Sequence, residues 1–370
     1  MHLKELNTLN FKTYSHADLK LHPKVNCFVG NNGVGKTNLL DAIFYLSMCK
    51  SNFNSTDYQN IRHGQDFFVI QGLYSRQEKE EGIYCAVKKD VGKTFKRNGK
   101  EYGRLADHIG FIPIVIISPA DSSLILDGSD ERRKYMNGVI SQYNQPYLDN
   151  ILKYNKLLAN RNKLLKEKSY GYANIKELFE VIDDQLNNLA KQIYDQRLNF
   201  AQQLTPIFQH YYQRVSNGGE EVRLEYQSHV AEKPLKELLT ESIDKDRMVL
   251  YTTKGIHKDD LVLTLNGHPI KKEGSQGQQK TYLIALKLAQ FHFIEKISGI
   301  KPMLLLDDIF DKLDLERVEQ FIRLVSDDTF GQIFITDTNK SRLDSILGQI
   351  DSGYQLFEVK NGEVNLVDTK

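Results

Sequence analysis

The stretch Val25–Leu40, VNCFVGNNGVGKTNLL, decides how this chain folds. Val25-Asn26-Cys27-Phe28-Val29 is an apolar run of strand length, and Leu39, Leu40, Ala42, Ile43 and Leu46 recur at helical spacing just beyond it. Between them stands Gly30-Asn31-Asn32-Gly33-Val34-Gly35-Lys36-Thr37, followed by Asn38. This is G-x-x-x-x-G-K-T between a strand and a helix, the setting that a phosphate-binding loop requires. Its glycines let successive N–H groups turn inward around an anion, and the new helix adds its positive end. Residues Gly30 to Asn38 are therefore the expected nucleotide-binding segment. Lys36 would reach the β- and γ-phosphates, and Thr37 would hold magnesium.

The rest of the chain is bounded by its length and composition. At 370 residues with 40% hydrophobic content it can bury a large core, in two domains or in one with a large insertion. No apolar run approaches the roughly 20 residues of a membrane span. Met1-His2-Leu3-Lys4-Glu5 lacks the apolar stretch of a signal peptide, so a cytoplasmic protein is expected. Cys27, Cys49 and Cys85 are few and far apart, which favours reduced thiols over a disulfide frame or a zinc site. With a net charge of +1, an anionic partner must be met by a local patch.

Two strands with a turn near Ser15–Asp18 are expected before the loop, and strands over Asp66–Ser75 and Gly82–Lys89 after the first helix. Asn98-Gly99 marks a tight hairpin, so an antiparallel sheet follows. Around it Lys88, Lys89, Lys93, Lys96, Arg97, Lys100 and Arg104 face only Asp90 and Glu101. That run reads either as a hairpin edge kept basic against aggregation or as a contact for a nucleic-acid backbone. Ile112–Ile117 is a buried strand. Helical patterns then dominate over Arg132–Tyr143, Tyr147–Lys168 and Ile175–Tyr212, with Gly171 and Pro206 as punctuation, and a second basic stretch carries Lys153, Lys156, Arg161, Lys163, Lys166 and Lys168. Strands return at Glu221–His229, Val249–Thr253 and Leu261–Leu265. His257-Lys258-Asp259-Asp260 matches no common metal-ligand spacing and is read as structural. The division expected is a head of residues 1–122 and 245–370 around a mainly helical insertion, or arm, of residues 123–244.

Downstream lie the remaining phosphate chemistries. Gly274-Ser275-Gln276-Gly277-Gln278-Gln279 opens an apolar helix, a second anion-binding helix start. Met303–Leu306 is an apolar run ending in Asp307-Asp308. Asp311-Lys312-Leu313-Asp314 and the strand Gln332–Thr336 follow. In this order the segments resemble the ABC-type ATPases: phosphate loop, signature (Ser275, Gly277, Gln278, Gln279), Walker B aspartate and D-loop (Asp314). The resemblance implies that Asp307 and Thr37 hold magnesium. It makes Asp308 and Lys36 catalytic, Asp308 replacing the glutamate that orients water. It also implies that the signature of one copy covers ATP held by another, in an ATP-dependent homodimer. The shorter Asp308, with no histidine near Asp337-Thr338-Asn339, leads us to expect weak hydrolysis.

Leu9-Asn10-Phe11-Lys12-Thr13-Tyr14, Gly30–Leu40, Ser118-Pro119 with Asp121, Gly128 with Arg132-Arg133, His257–Asp260, Gly274–Gln279 and Leu305–Asp308 together resemble the RecF family of bacterial recombination proteins. Ala120, Asn137, Ile256, Lys258 and Lys280 depart from the usual family residues. The resemblance implies an α/β fold, an ABC-type ATPase head of mixed sheet and antiparallel β-subdomain with an inserted helical arm. It implies ATP and magnesium as cofactors, and double-stranded, gapped and junction DNA as partners, with RecR and RecO in the loading of RecA, and no membrane. Lys88, Lys89, Lys93, Lys96, Arg97 and Lys100 are then candidate DNA contacts. Two other readings are the soluble ATPase subunit of an ABC transporter and a non-hydrolysing ATP-gated scaffold.

Overall fold

A computed structural model describes residues 1–167, 172–216, 218–309, 329–348 and 353–370. They form two compact units, one of Met1–Asp121, Arg214–Asn217 and Leu283–Lys370, the other of Ser122–Gln213 and Gly218–Tyr282.

The first unit holds two six-stranded sheets with a helix between them. In one sheet the order is Glu363–Thr369, Tyr354–Lys360, Val25–Val29, Ile333–Asp337, Met303–Asp307 and Ile114–Ile117, parallel except for the edge strand Glu363–Thr369. Val25–Val29, Ile333–Asp337, Met303–Asp307 and Ile114–Ile117 are buried along their whole length, which explains their near-continuous apolar sequences. The other sheet is antiparallel and runs Tyr14–Lys20, His2–Phe11, Phe67–Arg76, Lys79–Lys88, Gly92–Arg97 and Lys100–Glu101.

The helix Lys36–Met48 is apolar around most of its circumference, so no one-sided packing would bury it. Leu39, Leu40, Ile43 and Leu46 share a core with Leu6, Phe68 and Ile70 of the antiparallel sheet and with Phe28, Leu305 and Phe334 of the parallel one. Gln332 fastens the sheets at the opposite end of the strands: its amide accepts from Leu3 N at 2.7 Å and donates to Leu3 O at 2.8 Å.

In the second unit the helices Ser129–Ile140, Gln145–Lys166, Leu235–Val249 and most of Tyr172–Ser216 accompany a three-stranded sheet of His268–Pro269, Asp260–Leu265 and Val222–Gln227. Two buried arginines organise it. Arg161 reaches Asp183 (2.8 Å), Asp246 (2.7 Å) and Thr252 (2.9 Å), and Arg197 reaches Asp259 (2.8 Å), Tyr147 (3.0 Å) and the Ile256 carbonyl (2.8 Å).

Three local expectations are corrected. The first turn falls at Lys12-Thr13, where Lys12 has φ 51°, and Ser15–Asp18 continues as edge strand because its polar side chains face solvent. The segment Val249–Thr253 is not a strand: a helix runs to Val249 and ends in left-handed Leu250. The helix Tyr172–Ser216 passes through Pro206 without a break, so this proline is not punctuation.

Candidate functional site

The phosphate loop is shaped by what surrounds it. Gly35 has φ 115°, and a side chain there would meet Thr13 Oγ1 at 2.6 Å and Tyr14 Oη at 2.9 Å. At Gly30 a Cβ would lie 2.4 Å from the Val359 carbonyl oxygen. Gly35 is demanded by its left-handed backbone and by close approach together, and Gly30 by close approach alone. The Lys12–Tyr14 turn braces the loop: Tyr14 Oη donates to Gly35 O at 3.0 Å, and Asn38 Nδ2 donates to Thr13 Oγ1 at 3.0 Å. Lys12 itself pairs with buried Asp41 at 2.5 Å, and Asp41 also accepts from Ser51 Oγ (2.6 Å) and Asn52 N (2.7 Å). Residue-by-residue reading of the loop missed these supports; a lysine-threonine turn opposite the loop strand was their only local signal. Lys36 is buried, and its ammonium donates to Gly30 O (2.9 Å) and Asn31 O (3.0 Å), closing the loop on itself.

Strand register brings the other half of the site alongside. Asp307 pairs with Thr336, and Thr336 with Phe28, so all three lie at the carboxyl ends of adjacent parallel strands, where such sheets bind ligands. Thr37 Oγ1 donates to the Asp307 carboxylate at 2.8 and 3.1 Å, and Thr336 Oγ1 donates to it at 2.8 Å. Burial foremost, with the charge of Asp308, pushes Asp307 above the usual carboxylate range; the two hydroxyl bonds and Lys36 pull the other way. A carboxylate and a hydroxyl this close offer the hard oxygen ligands that magnesium takes. Asp308 has φ 45°, and its N–H donates to Thr336 Oγ1 at 3.0 Å. Asp337 is buried against Arg342, with N–O distances of 2.9 and 3.0 Å, and its carboxylate also accepts from Asn339 N. Asp314 and the rest of the D-loop lie outside the described residues.

In the second unit, Ser275 and Gln278 form a reciprocal cap on the helix Gln276–Ser298. Gln278 N donates to Ser275 Oγ at 3.2 Å, and Ser275 N donates to Gln278 Oε1 at 2.8 Å. Gly277 lies in the first turn, its carbonyl accepting from Thr281 Oγ1, and Gln279 Nε2 donates back to Gly274 O at 3.0 Å. His257 bonds Tyr154 Oη and Thr252 O, both at 3.0 Å, Asp259 holds Arg197, and Asp260 holds Arg132. The Ser118–Asp121 turn is closed by Asp121 accepting from Ser118 N at 2.7 Å, and Asp121 also pairs with Lys287 at 2.6 Å.

The basic runs are less uniform than their sequence. Lys93 pairs with Asp57 (2.8 Å) and donates to Cys49 O (2.7 Å); Arg97 grips Glu81 through two bonds of 2.9 and 2.7 Å and lies over the Phe111 ring. Lys89 pairs with Asp66 at 3.2 Å, and Lys96 lies over Tyr84. Lys88 and Lys100 are exposed, as are Lys153, Lys156 and Lys163 in the second unit, whereas Arg161 is fully buried.

The family model described as RecF/RecN/SMC N terminal domain matches residues 2–365. The DNA replication and repair protein RecF of Bacteroides fragilis is 51% identical, with 100% of each chain covered. The chain belongs to the RecF family. Its likeness to the RecF of Phocaeicola vulgatus is 52% over 98% of each chain, and to that of Flavobacterium johnsoniae 48% over 97% of this chain and 100% of the relative. A solved structure of the recombination mediator protein RecF with ATP, in the RecFOR pathway, matches with TM-score 0.89 at 31% identity, covering 99% of this chain and 98% of that one. A Pyrococcus furiosus Smc head domain shares the fold, with TM-score 0.59 at 18% identity. The RecF-family chain thus has an ABC-type ATPase head with an antiparallel β-subdomain and an inserted helical arm, and its family works in recombinational DNA repair. No described helix is long and apolar enough to cross a membrane.

Proposed function

We propose that this chain is an ATP-dependent DNA-binding protein of recombinational repair and replication-fork maintenance. It binds double-stranded DNA and single-to-double-strand junctions as an ATP-induced homodimer, and acts with RecR and RecO to help load RecA in the cytoplasm. The observation that carries this reading is the closure of Thr37 on Asp307 beside a fully formed phosphate loop. Magnesium held by that pair would neutralise charge between the β- and γ-phosphates. Lys36 exchanges its carbonyl partners at Gly30 and Asn31 for phosphate oxygens, and Asp308 orients the attacking water. Ser275, Gly277, Gln278 and Gln279 cover the nucleotide of a second copy, so ATP binding and dimerisation are one linked equilibrium. Turnover is slow because Asp308 is one methylene shorter than glutamate, and it releases the dimer from DNA.

Exposed Lys88, Lys100, Lys153, Lys156 and Lys163, with Lys89 and Lys96, are the candidates for phosphate contacts; Lys93 and Arg97 are already engaged within the protein. Such contacts release counterions, so binding falls steeply with salt. Binding of the full chain to a gapped duplex, measured with and without ATP across a salt series, tests the proposal. Affinity raised by ATP is expected; indifference to both nucleotide and DNA structure would sink it. The triple variant K88E/K96E/K100E is expected to flatten the salt slope while leaving ATP binding intact.

A further inference from the structure

We infer that Glu220 is a positioning residue for the signature: it fixes which end of the Gln278 amide faces a triphosphate carried by a second copy of this chain. The inference rests on the dimer reading above and concerns the arm side of the same site.

The side chain of Gln278 is held at both ends. Its oxygen accepts from Ser275 N at 2.8 Å, and its nitrogen donates to Glu220 Oε1 at 2.6 Å. An amide has one accepting and one donating end. The Ser275 N–H needs an acceptor and the Glu220 carboxylate needs a donor, so only one of the two flipped orientations satisfies both. That orientation commits one hydrogen of the amide nitrogen to Glu220 and leaves the other for a phosphate oxygen. In the opposite orientation the amide would turn lone pairs toward the phosphate. Donors fixed before the ligand arrives bind it with less loss of freedom.

Glu220 is itself held firmly. Its second oxygen accepts from Tyr212 Oη at 2.7 Å, and its carbonyl accepts from Gln209 Nε2 at 3.0 Å. Gln209 also accepts from Val222 N at 2.7 Å, and Asn266 Oδ1 accepts from Glu221 N at 2.8 Å. The Tyr212 ring is buried against Phe208 and against Tyr282 of the signature helix. Gln209 and Tyr212 stand on the long helix Tyr172–Ser216, so its last turns set the position of the carboxylate, and through it the signature amide.

The test is sedimentation velocity of the full chain with magnesium and a non-hydrolysable ATP analogue, comparing E220A, E220Q, Q278A and E220A/Q278A. Monomer affinity for the nucleotide is measured alongside as a check on folding and on the phosphate loop. E220A is expected to weaken nucleotide-driven dimerisation about tenfold at each of the two symmetric sites, the worth of one charge-assisted hydrogen bond. Nucleotide affinity of the monomer stays unchanged. E220Q restores dimerisation, because glutamine keeps the acceptor while removing the charge, and E220A/Q278A is no worse than Q278A alone. Dimerisation impaired in Q278A but at or above the wild-type level in E220A would overturn the role of Glu220 alone. Wild-type dimerisation in Q278A would remove the dimer reading and this role with it.

Discussion

Thr336 joins the two aspartates of the site through one hydroxyl, and replacing it by valine removes that hydroxyl with almost no change of shape. Its oxygen donates to Asp307 Oδ1 at 2.8 Å and accepts from Asp308 N at 3.0 Å, and the residue is fully buried. Loss of a bond to a charged group costs about 1.5–3 kcal/mol, and an N–H left without a partner about 1–3 kcal/mol. Burial of the added methyl group offsets about 1 kcal/mol, so T336V should destabilise the first unit by about 3 kcal/mol. For a unit of about 210 residues this lowers the melting temperature by about 6–12 °C. T336S keeps the hydroxyl and should recover most of the loss. Melting of the full chain, followed by calorimetry, provides the measurement. Because the left-handed backbone of Asp308 loses its brace, T336V should also bind ATP with a weaker dependence on magnesium than T336S. A T336V transition within 1 °C of wild type would refute the argument, since the hydroxyl would then hold neither aspartate in solution.

K36R should keep the fold while losing ATP-driven dimers, because the larger guanidinium does not reproduce the two carbonyl bonds and the phosphate reach of the ammonium; sedimentation showing intact dimers would contradict this. R161M strands Asp183 and Asp246 without their cation and should cost the second unit about 3–5 kcal/mol in urea unfolding. His108 and His257 are both pushed down to about 4, chiefly by burial, and are neutral in the fold. The unfolded chain therefore takes up protons first, and stability, level above about pH 6.5, falls as the pH drops toward 4. Each histidine contributes about 3 kcal/mol over that window. Melting temperatures measured from pH 7 to 4 should show the decline, and a flat profile would mean that neither imidazole is held neutral.

Much of the site was legible because its chemistry is contiguous. The phosphate loop needs a fixed spacing of glycines, lysine and threonine between a strand and a helix, and all of that lies within Val25–Leu40. The hairpin at Asn98-Gly99 was legible for the same reason, since its positive φ angles are written into two adjacent residues. The first turn was misplaced because Ser15, His16 and Asp18 are polar as edge-strand residues facing water, a pattern that turns share.

What the sequence determined by itself was therefore the set of backbone shapes whose requirements are local, the strand, loop and helix of Val25–Leu40 first among them. Only the tertiary structure decided which charges are spent. It buries Arg161 between Asp183 and Asp246, locks Arg97 onto Glu81, and sets Thr37 and Thr336 on Asp307 across 270 and 29 residues of sequence. A lysine or arginine in a basic run looks the same whether it faces water or a carboxylate. The difference is made by strand register and helix packing, which bring distant groups within 3 Å and whose energies depend on burial more than on neighbouring residues.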